Sequence, residues 1–158
     1  MKKVTIDLNV LLDFLNKRED HRQAALIVDL CVKKRVKGYI CAHEFTTLSY
    51  FLHKERGNIQ RVRYALTSLL DIFTTIPVTE KILRDSLDSP INDFEDAVVE
   101  VSSMKKKVEY IITRDMSDFN SSRVKALTPS QFLQRFHKDE FEALAERNNK
   151  ESNSAPVT

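Results

Sequence analysis

Short β-branched runs in this chain end at acids, and that pairing narrows the folds open to it. Val4-Thr5-Ile6 runs into Asp7, and Tyr110-Ile111-Ile112-Thr113 runs into Asp115. Tyr39-Ile40-Cys41 gives way to a helical pattern with Glu44 near its start, and another helical segment opens with Asp93-Phe94-Glu95-Asp96. In a parallel α/β sheet, strand C-terminal ends and the following helix N-termini share one edge, where ligands bind. Four carboxylates from distant parts of the chain then meet in one small volume. Uncompensated, they repel and raise one another's pKa; a divalent cation held by oxygen ligands removes that conflict. The pattern by itself points to a metal site.

The rest of the chain supports that architecture. Residues 4–6 form a first buried strand, with Leu8 and Val10 to Leu12 leading into a turn or short helix. Ala24, Ile27, Val28, Cys31 and Val32 make one helical face over 21–34, and Gly38 is placed to stop that helix after a basic last turn. Residues 39–41 form a second strand, 44–53 a helix, and Asn58 starts another helix through Leu69. Residues 72–76 read as a third strand, closed by Pro77, and Thr79 caps a helix over 79–87. Asn92 with Glu95 three residues later has the form of a capping box. Residues 110–113 and 124–127 give a fourth and a fifth strand, and Thr128-Pro129-Ser130-Gln131 is a strong start for a last helix.

This alternation predicts an α/β three-layer sandwich around a central, mainly parallel β-sheet of about five strands. Residues 1–137 are expected to form the folded domain, with 138–158 the end of the last helix and a polar tail, disordered from Arg147 onward.

With 158 residues, 42% hydrophobic and 30% charged, the chain is of single-domain size and of ordinary globular composition. No apolar run approaches the roughly 18 residues that span a bilayer. Met1-Lys2-Lys3-Val4 leads into a strand rather than a signal sequence, so a cytoplasmic location and no membrane partner are expected. Cys31 and Cys41 lack metal-ligand spacing and read as buried thiols. A net charge of +2 does not announce a nucleic-acid binder. Basic residues cluster at 33–37, 53–63 and 105–107, where they read as solvated helix ends unless they face the acidic edge.

Each candidate acid has a structural alternative. Asp7 could be a helix N-cap, with Asn9 orienting it or serving plain turn chemistry. Glu44 suits a helix N-terminus for dipole reasons alone. Asp93 and Asp96, three apart on one helix face, can approach the same point but also suit a helix start. Asp115 and Asp118 could be turn residues. Their shared placement at one sheet edge is what no stability role requires. Asp13, Asp29, Asp71, Asp85 and Asp88 lack that placement and read as surface. His43 adjoins Glu44 but reads as structural, as lone histidines usually are. No glycine-rich phosphate loop, His-Glu-x-x-His or nucleophile elbow is present. The helices from 44 to 70 carry more apolar residues than one buried face needs, so Tyr50 and Tyr64 are candidates for a partner surface.

Taken in order, Asp7-x-Asn9-Val10-Leu11-Leu12-Asp13, Glu44 at a helix start, Asp93-Phe94-Glu95-Asp96-Ala97-Val98 and Ile112-Thr113-Arg114-Asp115 with Asp118-Phe119 resemble the PIN domain. The resemblance runs from residue 3 to about residue 134 and is nearest to the VapC-like toxins of type II toxin–antitoxin pairs. It implies a metal-dependent endoribonuclease, a hydrolase using Mg²⁺ or Mn²⁺, usually a homodimer held inactive by a cognate antitoxin. By position, Asp7, Glu44, Asp96 and Asp115 match the acidic quartet, Asp93 and Asp118 the accessory acids, and Thr113 the hydroxyl beside the fourth acid. Leu8 departs from the family, which commonly has Thr or Ser there. Two alternatives stay open: a non-catalytic PIN-like module binding RNA or protein, and a metal-dependent phosphatase on a similar sheet. The phosphatase asks for adjacent acids after the first strand, where Asp7 is followed by Leu8.

Overall fold

A computed structural model describes residues 1–154, apart from the side chain of Arg56. Five strands, β1 (Lys2–Ile6), β2 (Val36–Cys41), β3 (Thr74–Ile76), β4 (Tyr110–Ile112) and β5 (Lys125–Leu127), form one sheet in the order β3-β2-β1-β4-β5. All four pairings are parallel, with Thr5 of β1 opposite both Tyr39 and Ile111. Among the described residues, seven helices connect and flank the strands: α1 (Leu8–Leu15), α2 (His21–Val32), α3 (Ala42–Arg56), α4 (Ile59–Ile72), α5 (Glu80–Leu87), α6 (Phe94–Lys105) and α7 (Pro129–Ser154). No helix among the described residues is long and apolar enough to cross a membrane.

Side-chain alternation assigns the two faces of the sheet. Val4, Ile6, Ile40 and Ile112 pack with α1 to α4 and α7, while Tyr39, Cys41 and Ile111 pack with α6 and the residues around it. Thr5 points to the second face, where its hydroxyl pairs at 2.7 Å with that of Ser103 on α6. Both faces being covered makes the three layers, and it explains why the strands read as continuous apolar runs. The chain winds outward through β2 and β3 and then returns to β4 beside β1. The topological switch, and hence the crevice, lies between the C-terminal ends of β1 and β4.

Four local expectations are corrected. Gly38 does not stop α2. It lies within β2 opposite Val4, where a Cβ would come within 2.6 Å of the Phe73 ring and 2.8 Å of Cys31 Sγ. Lys34, at φ 55°, takes the left-handed position after α2 instead. Ile72 ends α4 rather than opening β3. The cap of α6 is Asp93, whose carboxylate accepts from the Asp96 amide at 3.0 Å, not Asn92. The last helix starts as expected, with Thr128 and Gln131 exchanging side-chain and backbone bonds at 3.2 and 3.0 Å. It then continues through the stretch that composition marks as a tail, as far as Ser154. Once nucleated, a helix needs no apolar residues to propagate, and Ala143-Leu144-Ala145-Glu146-Arg147 are good helix formers. Residues 155–158 of the expected tail lie outside the described residues.

Candidate active site

Asp7 leaves β1 and caps α1, as its structural alternative expects. Its amide donates to Ile112 O at 2.9 Å, which fixes the strand end beside β4. One carboxylate oxygen accepts from the Leu8 amide at 2.9 Å and the other from the Thr113 hydroxyl at 2.7 Å. Glu44 enters from the first turn of α3 and accepts from the same Leu8 amide at 3.0 Å. Two carboxylates therefore share one backbone donor. Glu44 is 1% exposed, and its second oxygen is buried without a hydrogen-bond partner. Burial, reinforced by the Asp7 charge, holds its carboxyl well above the usual carboxylate range.

Thr113 and Asn9 join the β1 end to the β4 end. Besides donating to Asp7, the Thr113 hydroxyl accepts from the Asp115 amide at 3.1 Å. Asn9 Nδ2 donates to the Asp115 carboxylate at 3.0 Å, and Asn9 Oδ1 accepts from the Arg114 amide at 3.2 Å. The turn after β4 is thus written onto the first turn of α1 by an amide and a hydroxyl.

Asp96 comes from the first turn of α6. Burial, with the charges of Asp7, Asp93, Asp118 and Glu95 around it, pushes its pKa up to about 7. Asp93, Asp96 and Asp118 line one shallow cavity of about 260 Å³ with Asn92, Ser117 and Ser121. Glu95, which the sequence reading assigned to a capping box, instead belongs to this acidic group. It lies 3.4 Å from the Thr47 hydroxyl on α3, and its charge acts on Glu44, Asp96 and His43. His43 flanks the cluster; burial lowers its pKa against the opposing pull of Glu95 and Asp7.

Among the described residues, no salt bridge reaches these acids. The guanidinium of Arg114 turns away to Asp13 at 2.7 Å, and that of Arg123 to Glu100 at 2.8 Å. Asp13 is a further correction: it is 1% exposed rather than on the surface. Asp29, Asp71, Asp85 and Asp88 do keep solvent exposure. Two of the three basic clusters are also misplaced for the site. Residues 33–37 and 105–107 precede or open β2 and β4, at the opposite edge of the sheet.

The donor set is oxygen alone, with a buried unpartnered carboxylate oxygen, and burial together with mutual repulsion raises two pKa values. That chemistry fits a hard divalent cation. Among the described residues, no three acidic, imidazole or thiol groups are disposed to hold a metal ion as they stand.

Comparison with known proteins agrees with the fold. The model of the PIN domain matches residues 3–117. No curated protein matches the chain. Among solved structures, VapBC2 from Rickettsia felis bound to a promoter DNA fragment aligns at 15% identity and TM-score 0.61, covering 80% of this chain and 98% of that one. A toxin–antitoxin complex from Klebsiella pneumoniae aligns at 21% identity and TM-score 0.60, covering 80% and 97%. VapC20 from Mycobacterium tuberculosis, a sarcin–ricin loop cleaving toxin, aligns at 14% identity and TM-score 0.55, covering 68% and 86%. At these identities the structures share a fold, and the family match spans most of the domain. This chain belongs to the PIN domain family.

Proposed function

We propose that this protein is a divalent-metal-dependent endoribonuclease, the toxin of a toxin–antitoxin pair. One observation carries the reading: Asp7, Glu44, Asp96 and Asp115 come from four separate segments to the C-terminal edge of the sheet beside its switch point, and among the described residues none of them is in a salt bridge. Asp7, Glu44, Asp96 and Asp115 would hold Mg²⁺ or Mn²⁺, with Asp93 and Asp118 beside them. Such an ion, when bound, activates water and shields charge on the attacked phosphate. The chain's own part is orientation. Thr113 fixes Asp7 through one oxygen and leaves the other on the Leu8 amide; Asn9 fixes Asp115. Leu8 does not interrupt this arrangement, because its contribution is a backbone amide, and the hydroxyl that reaches Asp7 comes from Thr113.

The toxin reading draws on two of the aligned structures, a toxin–antitoxin complex and a sarcin–ricin loop cleaving toxin. Tyr50 and Tyr64, 63% and 77% exposed, are available to a homodimer or an antitoxin rather than filling the core; a sedimentation mass of one chain at micromolar concentration would exclude the dimer. The activity is tested by incubating purified protein with bulk RNA. Cleavage is expected with Mg²⁺ or Mn²⁺, silence with a chelator, loss in Asp96→Ala and retention in Asp85→Ala. Equal loss at Asp85, or no cleavage with either metal, overturns the reading.

A further inference from the structure

A nuclease site made of acids repels the polyanion it is meant to cut, so cations near its rim must bring the substrate in. The clusters at 33–37 and 105–107 lie at the wrong edge of the sheet. A different surface meets the requirement. A cleft of about 490 Å³ runs between the free edge of β5 and α7, lined by Met116, Lys125, Gln131, Gln134, Arg135 and Lys138 among others, with no carboxylate in its lining. Gln131, Gln134, Arg135 and Lys138 follow an i, i+3, i+4, i+7 spacing, so they form one face of α7, and all four are exposed. Met116 directly follows Asp115, which places one mouth of the cleft at the rim of the acidic site. From there the helix face descends about 10 Å, the rise of seven residues, toward Lys138 and toward Lys125, which opens β5 at the edge away from the acids and so holds the far end of the track.

The cations are engaged in part: Arg135 also lies over the Tyr110 ring at 5.7 Å, and the charges of Arg135 and Lys138 act on the neighbouring Asp139 carboxylate. Arg135 donates to the Tyr110 hydroxyl at 3.1 Å through Nη1, leaving most of its five donors free. Lys138 meets Glu142 at 3.9 Å, the far limit of an ion pair and on a highly exposed stretch. A lysine on a short edge strand also guards against strand pairing, which accounts for Lys125 by itself but not for two cations and two amides facing it across the cleft.

We infer that this cleft is a phosphate track that guides an RNA strand into the acidic site, with Lys125, Arg135 and Lys138 on phosphates and Gln131 and Gln134 within reach of sugar hydroxyls. The inference rests on the nuclease reading for its choice of RNA, and its test separates the two. Binding of a fluorescently labelled oligouridylate is measured in chelator, where cleavage is silent, across a range of salt. The variant Lys125→Gln/Arg135→Gln/Lys138→Gln should bind about tenfold or more weakly than wild type at moderate salt. Its log-log salt slope should be shallower by about 2, since each phosphate contact to a single strand contributes about 0.7. Lys33→Gln/Lys37→Gln/Lys106→Gln, at the opposite edge, should match wild type. If the triple cleft variant melts below the assay temperature, Lys125→Gln and Lys138→Gln alone should each lower the slope by about 0.7. An unchanged slope in the cleft variants overturns the track, whether or not the protein cuts RNA. Displacement of the oligouridylate by polyglutamate at equal charge would assign the cleft to an acidic protein segment and also overturn it. A normal track in a protein that cuts nothing with Mg²⁺ or Mn²⁺ would leave the cleft standing and remove the nuclease.

Discussion

Four acids are buried among the described residues, and they divide into two pairs with opposite surroundings. Asp13 and Glu100 each face an arginine from the loop that follows β4 or leads into β5. Asp7 and Glu44 face one another across a shared amide. Glu100 accepts from the Arg123 backbone at 2.6 Å, from its guanidinium at 2.8 and 3.2 Å, and from Ser89 at 2.7 Å. Burial alone would raise its pKa, but those donors outweigh burial and leave it below the ordinary value. Asp13 has a single guanidinium contact, and burial prevails there, leaving its carboxyl above the usual range. Glu44, with no cation, is raised well above it. A fold that places guanidinium groups on two buried acids could have done so on the others. The difference separates buried acids paired with a guanidinium from buried acids that face only one another. The two arginine pairs also bracket the segment from Arg114 to Arg123, which carries Asp115 and Asp118, and tie its ends to α1 and α6.

The sharpest way to break this comparison is to make the same change at both buried glutamates. Glu44→Gln should cut RNA cleavage by about 10²-fold or more, as expected when charge stabilisation is removed from a reaction centre. Its metal-free melting point should stay level or rise, because the amide keeps the Leu8 contact and gives Asp7 a donor. Glu100→Gln should do the reverse. It presents an amide to three arginine donors and should lose about 2–3 kcal/mol of stability, the penalty for spoiling a buried ion pair, while retaining cleavage well below its melting point. Denaturant melts and an RNA cleavage assay on the two variants decide it. Destabilisation by Glu44→Gln equal to that of Glu100→Gln would mean both glutamates are structural.

Metal sharpens the contrast from the other side. A ligand that binds only the folded state stabilises by mass action, by about 2.7 kcal/mol at about 100-fold excess over its dissociation constant. Mg²⁺ or Mn²⁺ should therefore raise the melting point of wild type and of Asp13→Asn, and should fail to raise that of Asp7→Asn. A response that survives Asp7→Asn but vanishes in Asp13→Asn would move the site to the wrong pair.

How far this division could be read in advance depends on the range of the interactions. Strand ends followed by acids are local patterns, and the strand–helix alternation that predicts a parallel sheet is read segment by segment, which is why Asp7, Glu44, Asp96 and Asp115 could be named as candidates on one edge. The N-caps at Thr79, Asn58 and Thr128 were legible for the same reason. Asp13 was misread because its partner lies 101 residues away, and nothing in a helical acid's neighbourhood announces a distant arginine. Gly38 was misread because a glycine after a basic helix end is a common stop signal; its actual constraint comes from Phe73, brought in from the end of α4. Glu95 was assigned to the wrong cap because Asn92 and Asp93 are both competent caps one residue apart, and the choice between them rotates the whole first turn of α6. The cleft beside β5 left a legible trace, the four-residue spacing on α7, but only the fold shows what that face lies against.

The smallest effect sets Asp96 against Glu100 by pH. Asp96, like Glu44, has a folded pKa above its ordinary value, moved from 3.8 to about 7. Between those limits the folded state binds the proton more tightly than the unfolded chain does. Stability from this group is therefore fullest at the acid end and is lost as pH rises toward about 7. Glu100 acts oppositely: its lowered pKa adds stability above the ordinary carboxylate range that is lost on acidification. His43 runs against Asp96 in part of the same window, because a lowered imidazole pKa favours the folded state as pH rises. The comparison to make is consequently wild type against Asp96→Asn, which leaves His43 and Glu100 in both. Without metal, the stability of wild type relative to the variant should fall by about 1 kcal/mol between about pH 5 and about pH 7.5, a figure reduced for the solvent that reaches Asp96. With saturating Mg²⁺ the sign should reverse, since the cation competes with the proton and gains affinity as the carboxylates ionise. Urea midpoints at the two pH values read both arms. A metal-free difference that rises with pH would mean that cationic neighbours outweigh burial at Asp96, and it would belong with Glu100 rather than with Glu44.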